Sequence, residues 1–158
     1  MIKITRDFTD TIVTQAAESP RKRKNYNYHQ SYDEVLNRML NALQKDTYVR
    51  PHKHEDPDKV EVFLILVGKI AVIEFDNDGN ITDSIILEAG TGNFGVEIAP
   101  RVWHSLIPLV ESSVIYEVKE GPYSPINDKN FAIWAPNEGD ASCKVFNEKL
   151  LKQIGYVS

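Results

Sequence analysis

The chain has 158 residues, 42% of them hydrophobic, a formal net charge of −5 and one cysteine, Cys143. This length fits a single domain that buries about 68–70% of its unfolded surface, so its core needs no disulfide or zinc staple. A lone thiol excludes an internal disulfide and a cysteine-based zinc or iron–sulfur site, and the negative charge argues against nucleic acid as the main partner.

Met1 to Asp7 lacks the apolar run of a signal peptide. No stretch approaches the ~18 apolar residues of a membrane span, so a cytoplasmic protein with no membrane partner is expected. Residues 1–45 read as a helical extension. Val13, Ala16 and Ala17 form a short apolar stripe that stops at Ser19-Pro20, because proline disfavours helix in the residue before it. Ser31-Tyr32-Asp33-Glu34 has capping-box spacing, and Val35, Leu36, Met39, Leu40 and Leu43 follow at helical intervals, predicting a second helix. Between the two, Arg21 to His29 is polar, basic and aromatic without a period, and reads as a loop. It is either a solvated charge run or a lip that binds an anion through Arg21, Arg23, Asn27 and His29.

Residues 46–120 change to strand period. Val60–Val67, Ile70–Phe75, Ile81–Leu87, Phe94–Ala99, His104–Val110 and Ser113–Lys119 are short β-branched runs at hairpin spacing, which indicates a barrel or sandwich. Asp76 to Asn80 is a hairpin turn; Gly79 and Leu87 stand in the wrong places for a calcium loop. Val60–Val67 is apolar on both faces, so its outer face must meet the terminal helices, a second sheet or a partner copy; a homodimer is expected. Residues 121–158 hold the loop Gly121-Pro122-Tyr123-Ser124-Pro125 and a last amphipathic helix with Val145, Phe146, Leu150, Leu151 and Ile154 on its apolar face.

The chemistry concentrates in Arg50-Pro51-His52-Lys53-His54 and Glu61. Residues two apart on a strand share a face, so His52 and His54 project together, and Tyr48 and Arg50 are expected beside them as substrate contacts. A turn over residues 55–59 returns the chain so that Glu61 sits across from the histidines. A carboxylate inside an apolar strand needs a cation facing it, and its own strand offers none nearby. Gly95-Val96-Glu97-Ile98-Ala99-Pro100-Arg101-Val102-Trp103-His104 puts His104 after a proline turn. Glu97 is either a general base or a paired structural acid; Tyr116 and Lys119 have odd spacing and cannot both face inward, with Tyr116 the catalytic candidate.

His-x-His, a glutamate and then Gly68 resemble the first cupin motif, and Gly95, Pro100 and His104 resemble the second. Two departures stand out. The gap from His54 to Glu61 is longer than usual, and Arg101-Val102 replaces the usual glycine after Pro100. Ser19-Pro20-Arg21-x-Arg23 before Asn27-x-His29, Leu40-Asn41-Ala42-Leu43, Tyr48-x-Arg50-Pro51-His52-x-His54, Val96-Glu97-Ile98-x-Pro100, Gly121 to Pro125 and Trp134-Ala135-Pro136-x-Glu138 together resemble WbuC-type cupin metalloproteins, associated with bacterial surface-polysaccharide clusters.

The resemblance implies an all-β cupin, a small antiparallel β-barrel or jelly roll, with helical N- and C-terminal extensions. It implies metal ligation by His52, His54, Glu61 and His104. Such an N/O set suits one divalent transition metal ion, Mn, Fe, Co, Ni or Zn. The expected function is that of a metal-dependent enzyme, an isomerase, epimerase or oxygenase, acting on a small anionic or carbohydrate-derived substrate. The alternative is a non-catalytic metal-containing module that binds a sugar or nucleotide-sugar.

Overall fold

The computed structural model describes residues 1–123 and 130–156; Ser124 and Pro125 of the expected Gly121–Pro125 loop lie outside them. In chain order the elements are α1 (Arg6–Glu18), β1 (Arg23–Asn27), β2 (Leu36–Gln44), β3 (His52–Lys53), β4 (Glu61–Val67), β5 (Lys69–Phe75), β6 (Ile81–Glu88), β7 (Gly95–Ile98), β8 (Trp103–Pro108), β9 (Ser112–Glu120), β10 (Asn130–Phe131) and α2 (Cys143–Gln153). Two five-stranded antiparallel sheets face each other, in the orders β1-β2-β9-β4-β7 and β10-β3-β8-β5-β6. Their inner faces enclose Leu43, Phe63, Ile65, Ile70, Val72, Leu87, Ile98, Leu106 and Ile115. Among the described residues no helix is long and apolar enough to cross a membrane.

The six strands expected between residues 60 and 119 are all present. So is the first helix: α1 starts at the Thr5 cap, ends at Ser19, and lays Ile12 and Ala16 on Leu40, Ala42 and Val114 of the first sheet. Two expectations need correction. The predicted second helix is strand β2, and the predicted loop over Arg21–His29 contains strand β1, paired with β2 from Arg23↔Leu43 to Asn27↔Met39.

The reason is that the apolar residues of β2 fit a two-residue period as well as a helical one. Leu40 and Ala42 face α1 while Met39 and Leu43 face inward, so both faces are covered. A nine-residue ladder with β9, Leu36↔Glu120 to Gln44↔Ser112, then outweighs local helix preference. The Ser31–Glu34 signal does cap backbone groups, but in a turn: Glu34 accepts from the Gln30 N–H at 2.7 Å, and Ser31 Oγ accepts from the Asp33 N–H at 3.2 Å.

At the other end, α2 packs Phe146, Leu150, Leu151 and Ile154 against the outer face of the second sheet; Val145, expected on that face, is 65% exposed. The β4–β5 turn is tight. Gly68 has φ of 78°, and a Cβ there would sit 2.6 Å from Ser113 Oγ, which itself accepts from the Lys69 N–H and donates to the Lys69 carbonyl. Gly68→Ala is therefore expected to cost about 2–4 kcal/mol in urea unfolding with an unchanged m value.

Candidate metal centre

His52 on β3 pairs directly with His104 on β8, and their ring centroids are 4.4 Å apart. His54 lies just beyond β3, and Glu61 opens β4 on the facing sheet. One ligand atom from each of the four lies within 4.8 Å of all the others, and all four residues are buried. His104 Nε2 is 2.9 Å and His54 Nε2 3.2 Å from Glu61 Oε2.

The imidazoles are oriented from behind. His52 Nδ1 lies 2.9 Å from the Arg50 carbonyl and His104 Nδ1 2.9 Å from the Val102 carbonyl. These contacts hold each ring with its Nε2 turned to the centre. Burial pushes the Glu61 carboxyl pKa up, but hydrogen bonds from His104, His54 and Glu117, with the charge on His104, bring it well below the usual carboxylate range. Three imidazoles around an ionised carboxylate form a set that can hold a metal ion.

The cation required opposite Glu61 comes from across the sheet. Lys119 on β9 is the cross-strand partner of Glu61, with its Nζ 3.9 Å from Glu61 Oε1 and 3.9 Å from Glu117 Oε1. Glu61 and His52 form part of the wall of a cavity of about 330 Å³, which continues over Asn37, Asn41, Glu117 and Lys119 to a mouth at β1. Asn41 Nδ2 donates to Glu117 Oε2.

Four expected contacts, Arg21, Arg23, Asn27 and His29, do line this cavity. The two arginines are engaged elsewhere as well: Arg21 clasps Glu138 at 2.6 and 2.8 Å, and Arg23 reaches the same carboxylate at 2.9 Å and the Tyr48 carbonyl at 2.6 Å. His29 Nδ1 accepts from the Arg38 N–H at 3.2 Å.

Four others do not reach the cavity. Tyr48 donates to the Pro136 carbonyl at 2.9 Å, and Arg50 donates to Ala132 O at 2.7 Å and Asn137 Oδ1 at 2.7 Å, so both fasten the C-terminal extension. Face-sharing with His52 fails because Pro51 lacks an N–H and regular pairing begins only at His52. Glu97 pairs with Val62, one residue off the Glu61↔Ile98 pair, and points to the exposed outer face. Tyr116 likewise lies on the outer face, packed under α1 with a ring contact to Tyr28. On β9 the ionisable groups that face inward are Glu117 and Lys119, which sequence reasoning passed over as a pair; their even spacing was the available signal.

A family described as a domain of unknown function (DUF6016) matches residues 4–87. No curated protein matches the sequence. Among solved structures, the chain is similar to CapF bound to the inhibitor 3-isopropenyl-tropolone (TM-score 0.60, 18% identity, covering 72% of this chain and 32% of that one). It is similar to salicylate 1,2-dioxygenase from Pseudoaminobacter salicylatoxidans with gentisate (0.57, 17%, 75% and 33%) and to KdgF from Halomonas sp. (0.51, 15%, 68% and 84%). At these identities the likeness is one of fold, and the chain spans about a third of the CapF and dioxygenase chains.

Tyr48→Phe is expected to cost about 1 kcal/mol in thermal or urea unfolding through its lost hydrogen bond. Metal content, measured on the same sample by inductively coupled plasma mass spectrometry, is expected to equal that of the wild type.

Proposed function

The chain belongs to the family described as a domain of unknown function (DUF6016) and has the cupin fold, two facing antiparallel sheets with helices at both ends; on that premise we propose a metal-dependent enzyme acting on a small anionic or carbohydrate-derived substrate. The observation that carries this reading is that the ligand set is open. Structural metal sites are closed by their ligands, whereas catalytic ones keep a position for water or substrate. Here Glu61 and His52 border the cavity while His54 and His104 close the centre from behind.

His52, His54, Glu61 and His104 would hold one divalent transition metal ion, Mn, Fe, Co, Ni or Zn. Such an ion supplies a Lewis acid that polarises a carbonyl or hydroxyl oxygen. The chain's own part is positioning and proton handling. The Arg50 and Val102 carbonyls orient two imidazoles, and Glu117, held by Asn41 and Lys119, is the carboxylate placed to accept a proton in an isomerisation or epimerisation. Lys24 at the mouth adds positive charge that favours an anion. The WbuC resemblance supports surface-polysaccharide metabolism as the setting, and we read the chain as one cytoplasmic cupin domain.

Wild-type protein purified without chelator or affinity nickel is expected to carry about one metal ion per chain. His52→Ala and His104→Ala are expected to lose it. Chelation should lower the midpoint of unfolding and reloading restore it, by about 2.7 kcal/mol at a free metal concentration of 100 Kd. Metal-free wild-type protein overturns the reading; a ligand bound and returned unchanged, with and without oxygen, selects the non-catalytic binding module instead.

Leu64, Leu66 and Phe94 are 42%, 38% and 67% exposed around the outer face of β4, which supports the homodimer. Light scattering is expected to give twice the chain mass for wild type and the monomer mass for Leu64→Lys.

A further inference from the structure

Asn37 on β2 is 1% exposed, and neither its Nδ2 nor its Oδ1 has a hydrogen-bond partner among the described residues. An amide left so in the interior carries an uncompensated desolvation cost. Its side chain lines the same cavity as Glu61. It also stands in a row. Asn37 is the cross-strand partner of Lys119, and Lys119 is the cross-strand partner of Glu61, so one line across the sheet runs from the metal-binding carboxylate through an ammonium to an unsatisfied amide.

Neighbouring strands are about 4.7–4.9 Å apart, which sets the Asn37 backbone roughly 10 Å from that of Glu61. The side chains reach inward from both, so a chain of about four to six carbons, at ~1.5 Å per bond, bridges the interval. Formal charge selects the ligand's sign. A divalent ion outweighs Glu61, Glu117 and Lys119 together, whether or not Glu61 and Glu117 share a proton, so the wall turns positive and favours an anion. A carboxylate supplies that charge. At the far end the Asn37 amide offers both donors and acceptors, which a hydroxyl satisfies simultaneously.

We propose that the row Glu61–Lys119–Asn37 is the substrate-recognition wall, and that the ligand is a hydroxylated monocarboxylate of about four to six carbons, its carboxylate set at the Glu61 end, where the Lys119 ammonium lies, and a distal hydroxyl by Asn37. This rests on the metal-dependent reading above and names the substrate class for that same cavity.

The test compares three probes on manganese-loaded protein by calorimetry: gluconate, hexanoate, which lacks hydroxyls, and sorbitol, which lacks the carboxylate. Gluconate is expected to bind about tenfold or more tighter than either. Asn37→Ala is expected to lower gluconate affinity about tenfold and leave hexanoate unchanged, while Lys119→Gln weakens both acids. Asn37→Ala removes two unsatisfied buried groups, so its thermal midpoint is expected to hold or rise; circular dichroism and metal content verify the fold of both variants. Equal binding of gluconate and sorbitol, or a gluconate affinity unmoved by Asn37→Ala, overturns the proposal. Metal content separates the two levels: full metal occupancy with no gluconate preference sinks this inference alone, whereas wild-type protein that takes up none of Mn, Fe, Co, Ni and Zn sinks the reading beneath it.

Discussion

A carboxylate that is 1% exposed at the start of an otherwise apolar strand is the constraint around which this molecule is arranged. Desolvating Glu61 alone would cost several kcal/mol. The fold offsets this from two directions. Within its own sheet, register brings Lys119 beside it; from the facing sheet, His104 and His54 deliver Nε2 at hydrogen-bond distance. The consequence is that the two sheets are joined by polar contacts at one end of the barrel and by Phe63, Leu106 and Ile115 beyond it. Shifting β4 by one residue would put Val62 inward and Glu61 out, losing both the ion pair and the ligand set, so register is strongly specified here.

The two departures from the usual cupin motifs interlock. The longer turn after His54 contains Asp58, and the residue standing where glycine is usual is Arg101, at φ of 67°. Left-handed backbone is uncommon for a side chain of this size. Arg101 is held there by both ends: its N–H donates to the His54 carbonyl at 2.9 Å, and its Nε donates to Asp58 at 2.8 and 3.0 Å. The added turn thus supplies the partner that the missing glycine calls for. The first of these bonds ties the backbone of His54 to the turn that precedes His104.

What was legible in the sequence follows from which physical signal dominates. Strands β4 to β9 read correctly because their β-branched runs and turns point the same way as their tertiary pairing. Strand β2 was misread because Leu36, Met39, Leu40 and Leu43 satisfy two periods at once, and only the presence of α1 on one side and a core on the other decides between them. The grouping of His52, His54, Glu61 and His104 was legible since strand alternation puts His52 and His54 together and a turn precedes each of Glu61 and His104. Tyr48 and Arg50 were not, because the alternation used to place them does not extend back through Pro51. Glu97 and Tyr116 fail by parity: both are paired with outward residues, Val62 and Leu64, once Glu61 is taken as inward. That last inference needs the register between strands, which a single sequence does not contain.

The N-terminal segment, expected as a helical extension, is better understood as the missing wall of the site. β1 and β2 widen the first sheet beyond β9, and their inward residues Asn25, Asn27, Asn37 and Asn41 add amides to one side of the cavity where a hydrophobic lining would close it. Such a wall at a sheet edge needs support from outside, since among the described residues β1 pairs on one side only. Arg21 and Arg23 provide it by sharing Glu138, and the shared carboxylate is held below its usual range, against burial, by these hydrogen bonds and charges. The C-terminal segment that carries Glu138 is itself fastened by Tyr48 and Arg50 just ahead of His52. Both termini therefore converge on the strand that carries His52, and Tyr48, Arg50 and Glu138, which do not touch the cavity, help to hold its wall in place.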